Sequence, residues 1–487
     1  MIKHESIEWT IRAFHQGLQE GTITCEGLVE AYLSRIEAYD QQGPKLNAVI
    51  HINSNALEEA RQKDLSFQKN GFEGPLHGVP VLLKDNVDTD NMPTTAGSKS
   101  LEGFIPEQNA FIVDKMLAAG AIIIAKTNLH EFAIWGETIS SMLGQTLNPY
   151  DGSRTPGGSS GGTGAAVAAN FGLVGIGTDT INSIRSPASA NNLVGFRPTV
   201  GLVSKAGVVP YSYTQDAAGP ITRTVEDAAI FLDTLRGYDP RDGKTAWSVG
   251  RISSPLSAHL KVDGLKGKRV GVLTGFFGQG AHHMETNRAV RGAMERMESG
   301  GASLVTIDDP IDSGYLVQEV SVHLHDFKDH LNLYLGNLPQ DAPVHSVVEI
   351  LEGGKYHAGI EDNLNKAMAL STDSQVYRDR LVLRMETQDQ VMKLMAKYGV
   401  DALVYPHQKQ LVCHVGGSQN ERNGVLGSVT GFPSICVPAG FSSPTESAPL
   451  GVPIGMEILG RPFTEEVLVE IAYGYEQVES IRKAPKL

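Results

Sequence analysis

Three short runs of uninterrupted apolar residues limit the fold of this chain more than any other feature. "GVPVLLKDN" carries one that closes on Lys84, "LAAGAIIIAKTN" holds Ile122 to Ala125, and "LVGIGTDT" leads up to Thr180. Each is too short for a helix and lacks the alternation of a strand with one wet face, so each predicts a strand covered on both faces. Helical patterns surround them. In "TCEGLVEAYLSRIEAYD", Leu28, Tyr32, Leu33, Ile36 and Tyr39 recur at helical spacing, with Thr24 placed to cap. "KRVGVL", "DALVYP" and "IGMEILG" add later strands. The pattern is that of an α/β protein with helices packed on a buried sheet. The segment from about 239 to 398 is more polar and more helical, and it reads as an inserted or capping subregion of the same domain.

Composition narrows the function classes. With 487 residues and a formal net charge of −14, the chain does not have the basic balance of a bare nucleic-acid binder. No apolar run reaches the roughly 20 residues of a membrane span. The N-terminal "MIKHESIEWTIRAFHQGL" has polar groups where a secretory leader needs an apolar stretch. Cys25, Cys413 and Cys436 are odd in number, scattered and without a CxxC pair. They argue against a disulfide framework or a structural zinc site and for a reducing, cytoplasmic setting.

Several stretches invite chemistry. "GGSSGG", Gly157 to Gly162, formally contains G-x-S-x-G, but the residues before it read as a loop, where a nucleophile elbow needs a strand. It reads as a Gly-rich loop opening a small-residue helix, Thr163 to Asn170. "HLHDFKDH", His323 to His330, has ligand-like offsets. There Leu324, Phe327 and Leu331 form an apolar stripe, which turns the histidines to solvent and leaves no metal site. "AHHM", Ala281 to Met284, reads as loop. Lys84 ends an apolar strand, either as a lysine snorkelling from a sheet edge or as a buried amine held neutral as a base.

Taken together, the strand-end lysine, the Gly-Ser-Ser-Gly-Gly loop and the serine of "GTDTINSIRSPAS" resemble the amidase signature family of Ser-Ser-Lys hydrolases. The likeness runs along nearly the whole chain, through "TPGGSSGGTGAAVAAN", "VGFRPTVGLVS", "QDAAGPITRTVEDAA", "GFPSICVPAGF" and "GVPIGMEILGRPF". It looks nearest to peptide amidase-like and aryl-acylamidase-like members. The resemblance implies one large domain over residues 1–487, a mixed sheet flanked by helices on both faces, with the 239–398 subregion contributing to the substrate pocket. It implies Ser183 as nucleophile, Ser159 as a bridging serine after a cis peptide from Gly158, and Lys84 as terminal base. Ser160 is expected to hydrogen-bond and orient Lys84. The backbone amides of Thr180, Ile181, Asn182 and Ser183 are expected to hold an oxyanion, with Asp179 and Arg185 in support. Such a relay replaces the histidine and aspartate of the better-known triad. It needs no cofactor and no metal.

One pair departs from the pattern. The family has Gly-Gly before the nucleophile, and this chain has Ile181-Asn182. Asparagine tolerates the left-handed region better than most residues, so the expectation is that Asn182 preserves a positive φ there. Its side-chain amide could instead donate to substrate. The expected substrate is a small, uncharged or weakly charged amide: an aryl amide, a peptide carboxamide or a carbamate (urethane). The rival readings are the glutaminase subunit of a tRNA-dependent amidotransferase and a catalytically silent binding protein.

Overall fold

A computed structural model describes residues 8–487. The first seven residues, part of the N-terminal stretch discussed above, lie outside the described residues. Among the described residues thirteen strands occur in chain order: β1 (Val49–Ile52), β2 (Pro80–Lys84), β3 (Ile122–Thr127), the two-residue strands β4 (Ile139–Ser140) and β5 (Gly144–Gln145), β6 (Val174–Asp179), β7 (Val194–Arg197), β8 (Ala217–Thr222), β9 (Arg269–Leu273), β10 (Ser303–Ile307), β11 (Ala402–Pro406), β12 (Ser434–Phe441) and β13 (Pro453–Leu459). Eleven form one sheet in the order β1-β3-β2-β6-β8-β7-β12-β13-β11-β9-β10, while β4 and β5 pair separately. The sheet is mixed. β3, β2 and β6 run parallel, β6 through β11 pair antiparallel, and β11, β9 and β10 are parallel again.

The apolar runs form strands because both of their faces are covered. Every residue of β2, β3, β6, β11 and β13 is buried. The pleat divides β11 between two cores. Ala402 and Val404 join one core with Val290 and Leu468, while Leu403 and Tyr405 join another with Val391 and Val425. The first core is closed by helices Met284–Ser299 and Glu465–Val478, the second by Gln375–Tyr398 and Val425–Thr430. Near the N-terminus, Thr24 Oγ1 accepts from the Gly27 amide at 2.9 Å, and helix Cys25–Tyr39 buries Leu28, Tyr32 and Ile36.

The polar segment 239–398 is more divided than its composition suggests. Its residues 269–307 are not a cap: β9, helix Met284–Ser299 and β10 form a parallel crossover unit that extends the main sheet. The helices that follow, His323–Leu335, Val347–Gly353 and Glu361–Met368, gather a separate apolar cluster around Phe327, Leu331, Val347 and Leu364. That cluster seats on Phe132, Val209 and Tyr211, above the C-terminal ends of β2 and β6.

Helix Gly161–Ala168 packs against this edge at backbone distance. A Cβ on Gly162 would stand 2.2 Å from the Asn128 carbonyl oxygen and 2.5 Å from its nitrogen, so the chain leaves room for no side chain. Gly162→Ala should therefore lower stability by about 1–3 kcal/mol, the usual cost of overpacking. Gly152→Ala, whose Cβ would meet nothing within 4 Å, should be close to neutral. Urea midpoints of the two variants check this.

Candidate active site

Lys84 sits at the end of β2, an inner strand flanked by β3 and β6, and is fully buried, which rules out a snorkelling lysine at a sheet edge. Its Nζ donates to Ser159 Oγ and to Thr178 Oγ1, both at 2.8 Å. On the adjacent strand β3, Lys126 is equally buried but stands 3.6 Å from Asp85 Oδ1. Among the described residues Lys84 has no such partner. Desolvation lowers its pKa to about 7, against the opposing pull of Asp216 and Asp179.

The glycine loop brings Ser159 to Lys84. The Gly158–Ser159 peptide is cis, and Gly157 has φ +70°. Thr138 Oγ1 donates to the Gly157 carbonyl at 2.7 Å and accepts from the Gly161 amide at 3.1 Å. A Cβ on Gly158 or Gly161 would stand within 2.6 Å of that same oxygen. The Ser159 carbonyl accepts from the His130 amide at 3.0 Å. Ser160 does not reach Lys84, contrary to expectation. Its hydroxyl bridges Thr178, donating to the carbonyl at 3.1 Å and accepting from the amide at 3.2 Å, and its own amide donates to the Ser183 carbonyl. Ser160 thus pins the glycine loop to β6, and Thr178 takes the place at the amine that was expected of Ser160.

Beyond β6 the chain turns through Thr180 to Ser183 into helix Arg185–Ala190. All four carbonyls of this turn are held. Gln215 Nε2 donates to Thr180 O, Arg185 and Ser428 to Ile181 O, the Ser186 amide to Asn182 O, and the Ser160 amide to Ser183 O. Among the described residues none of the four amides donates to a protein acceptor, so the turn offers unsatisfied N–H groups on one side. Neither Ile181 nor Asn182 has positive φ, which corrects the expectation for Asn182. The clamps on the Ile181 carbonyl shape this turn within ordinary backbone conformations, and no glycine-like freedom is used. The Asn182 side chain is only 1% exposed, and neither its Nδ2 nor its Oδ1 has a hydrogen-bond partner.

A buried ionic network lies beneath the turn. Arg185 donates to both oxygens of Asp179 at 3.0 Å and also pairs with Glu457. Arg197 stands 2.9 Å from Asp179, while His407 and Tyr405 complete Glu457 at 2.8 and 3.0 Å. Burial alone would raise both carboxyls. Arg185, with Arg197 at Asp179 and His407 at Glu457, outweighs it, holding Glu457 at about 2 and Asp179 lower still. Asp179 Oδ2 also accepts from the Ile184 amide at 3.0 Å, so the network fixes the residue that follows Ser183.

A family model described as Amidase matches residues 27–469. The chain belongs to the amidase family. It is 36% identical to a probable amidase of Arabidopsis thaliana, over 98% of this chain and 91% of that one. It is 34% identical to a glutamyl-tRNA(Gln) amidotransferase subunit of Methanosarcina mazei, over 89% and 90%. The crystal structure of native peptide amidase from Stenotrophomonas maltophilia superposes with a TM-score of 0.89 at 34% identity, covering 99% of both chains. The chain is thus an enzyme acting on carbon–nitrogen bonds.

Ser183 of this amidase opens on a cavity of about 480 Å³. Ile134, Trp135, Tyr211 and Leu324 supply apolar wall, and Arg380 and Arg422 supply charge. Here too the structure corrects a sequence expectation. His323 and His325 do not face solvent: both line this cavity, because the helix turns its first residues inward to meet the turn at Ser183. Burial, with Arg422, Arg380 and His325 nearby, pushes the His323 pKa down to about 3, so its ring is neutral. The histidines of His323 to His330 do not converge on a common point. Among the described residues His282, His283 and Glu421 do come together, yet His283 Nδ1 accepts from the Gly280 amide at 2.8 Å. The proton then lies on Nε2, which donates to Glu421 at 2.9 Å and has no lone pair for a metal. No helix among the described residues is long and apolar enough to cross a membrane.

Sequence reasoning missed the parts played by Thr178, His323 and Arg422. Thr178 and His323 lay inside quoted motifs but without these parts, and no local signal marks Arg422. The network generates a prediction. Arg185→Met leaves Asp179 and Glu457 buried without their main counter-charge, and should cost about 3–5 kcal/mol of stability. Denaturant unfolding of the two proteins reads the difference.

Proposed function

We propose that this amidase hydrolyses a carboxylic amide through an acyl-Ser183 intermediate. The observation that carries the reading is the amine of Lys84, buried without a carboxylate partner and hydrogen-bonded to Ser159. In the proposed cycle Ser183 Oγ attacks the amide carbon, and its proton passes through Ser159 to neutral Lys84. The carbonyl oxygen takes up negative charge against the free amides between Thr180 and Ser183. The C–N bond then breaks, the amine leaves with the proton returned from Lys84 through Ser159, and the acyl group stays on Ser183. Water repeats the sequence and releases the acid. Asp179 and Arg185 hold the turn, and no step calls for a metal or cofactor. A carbamate can enter the same cycle, since the steps depend on the carbonyl and not on what flanks it.

The substrate is a small molecule, an aryl amide, peptide carboxamide or carbamate, and the setting is the cytoplasm. The apolar and aromatic wall of Trp135, Tyr211 and Leu324 suits an aryl or side-chain group. A second reading has the chain as the glutaminase subunit of a tRNA-dependent amidotransferase, and the relatives that bear this name favour it. Release of amine from anilides, peptide carboxamides and carbamates by the isolated chain supports the first reading. Activity on glutamine only, with a co-purifying second protein, supports the other.

Ser183→Ala should abolish turnover in a folded protein, and intact-mass measurement should find the acyl adduct on the parent enzyme but not on the variant. Near-parental rates in Ser183→Ala would remove Ser183 from the mechanism. Lys84 must be neutral to accept a proton, so kcat/KM should rise with pH through about 7 and level off above it. Lys84→Arg, which stays charged, should be inactive at every pH.

Asn182 makes a separate case. Its backbone needs no special freedom, and its buried amide lacks a partner. The side chain is therefore assigned to donate to the oxyanion or the substrate. Asn182→Gly and Asn182→Ala should fall together in kcat/KM, by about 2.7–4 kcal/mol of transition-state stabilisation. An active glycine variant beside an inactive alanine variant would return the role to the backbone.

A further inference from the structure

The cavity at Ser183 carries an unbalanced charge. Two arginines line it, Arg380 and Arg422, and no aspartate or glutamate does. This is unexpected in a chain with a formal net charge of −14. Arg380 is already engaged: it donates to the carbonyls of Ser321 and Gln318 at 2.9 and 2.6 Å and stands 3.7 Å from Glu319. Arg422 is different. Among the described residues its guanidinium makes no hydrogen bond and no ion pair. Burial is the largest influence on its charge, and Glu137 opposes it only from a distance. The Glu137 carboxylate is itself taken up by the Gln419 amide at 2.8 Å, the Gly136 amide at 3.0 Å and the Ser418 hydroxyl at 3.4 Å.

Arg422 shares this cavity with Ser183 and lies near the loop that carries Ser159. A Cβ on Gly136 would lie 3.3 Å from its Nη1 and 4.0 Å from the carbonyl oxygen of Gly158, the residue before Ser159. Arg422 is half-buried, with its guanidinium open to the cavity, and a cation that faces such a cleft without a partner is favoured further when a ligand supplies the counter-charge. Its planar fork matches a carboxylate with two parallel hydrogen bonds. Neutral His323 does not compete for that anion, and the unpartnered amide of Asn182 lies in the same cavity wall.

We propose that Arg422 is the specificity-determining anchor of this site, and that the amide it serves carries a carboxylate. The inference rests on the amidase reading above and replaces the uncharged substrate expected from the sequence. Turnover by Ser183, Ser159 and Lys84 is unaltered in kind. Arg422 sets which amides reach them.

The test uses the full-length enzyme and a set of 4-nitroanilides with nitroaniline release as readout. Succinyl and glutaryl anilides place the carboxylate on the acyl side, and a carboxylated nitroaniline acyl amide places it on the leaving group. Each acid is paired with its methyl ester. The acid of at least one pair should be favoured in kcat/KM by about 10- to 100-fold, through KM more than kcat. In Arg422→Gln that acid-to-ester ratio should collapse towards one, and Arg422→Lys should restore part of it. The ratio is internal to each variant, so a loss of folded protein does not alter it. Esters matching or beating their acids throughout, or an acid preference that survives in Arg422→Gln, would overturn the proposal and leave the amidase reading in place. If no compound is turned over and none acylates Ser183, the amidase reading itself fails.

Discussion

Everything near Ser183 depends on one desolvated guanidinium. Arg185 lies between Asp179, at the end of β6, and Glu457, in β13, and it also holds the Ile181 carbonyl. An ion removed from water in this way is tolerated only when its geometry is fully answered, and here each of its nitrogens has a partner. The same burial has the opposite outcome a short distance away. Lys84 is equally desolvated but has only uncharged partners, two hydroxyls and the Thr178 carbonyl, and its pKa drops towards neutrality. One cation is compensated and rigid; the other is uncompensated and able to exchange a proton. The contrast arises from which carboxylates the sheet delivers to each position.

The strands legible in the sequence were those with unbroken apolar character and two covered faces. β2, β3 and β6 are of this kind, as are β11 and β13; β9, legible too, is less fully covered, with Arg269 exposed and Val272 half-buried. β8 reads "AAGPIT" and β12 reads "SICVPAGF", where glycine and proline interrupt the signal although both lie inside the sheet. In β12 the interruption is a bulge, with the register shifting between Pro438 and Gly440. β1 and β10 are the edges of the sheet and are too exposed to give an apolar run.

The candidate site was legible only as a set. Lys84, Ser159 and Ser183 come from three separate segments, and no spacing rule connects them; a family resemblance did. Local rules failed where tertiary contacts take over. Asparagine's tolerance of positive φ said nothing about Asn182, because Arg185 and Ser428 fix the turn from outside. The helical stripe was correct as to core packing for Phe327 and Leu331, but the helix start tips Leu324 into the cavity wall together with His323 and His325. Arg422 sits in a loop and is defined by what it lacks, a property invisible until its surroundings are assembled.

The order of synthesis gives the Arg185–Glu457 pair a further meaning. The two residues are separated by 272 positions along the chain. At roughly 5–20 residues per second, the ribosome leaves Arg185 without its second carboxylate for on the order of half a minute. Throughout that time the nascent chain already contains Lys84, Ser159 and Ser183, but the turn that exposes Ser183 rests on an incomplete foundation. Maturation of the catalytic centre is therefore tied to the last strands of the polypeptide, and a truncated product would carry all three residues without the means to hold them in place.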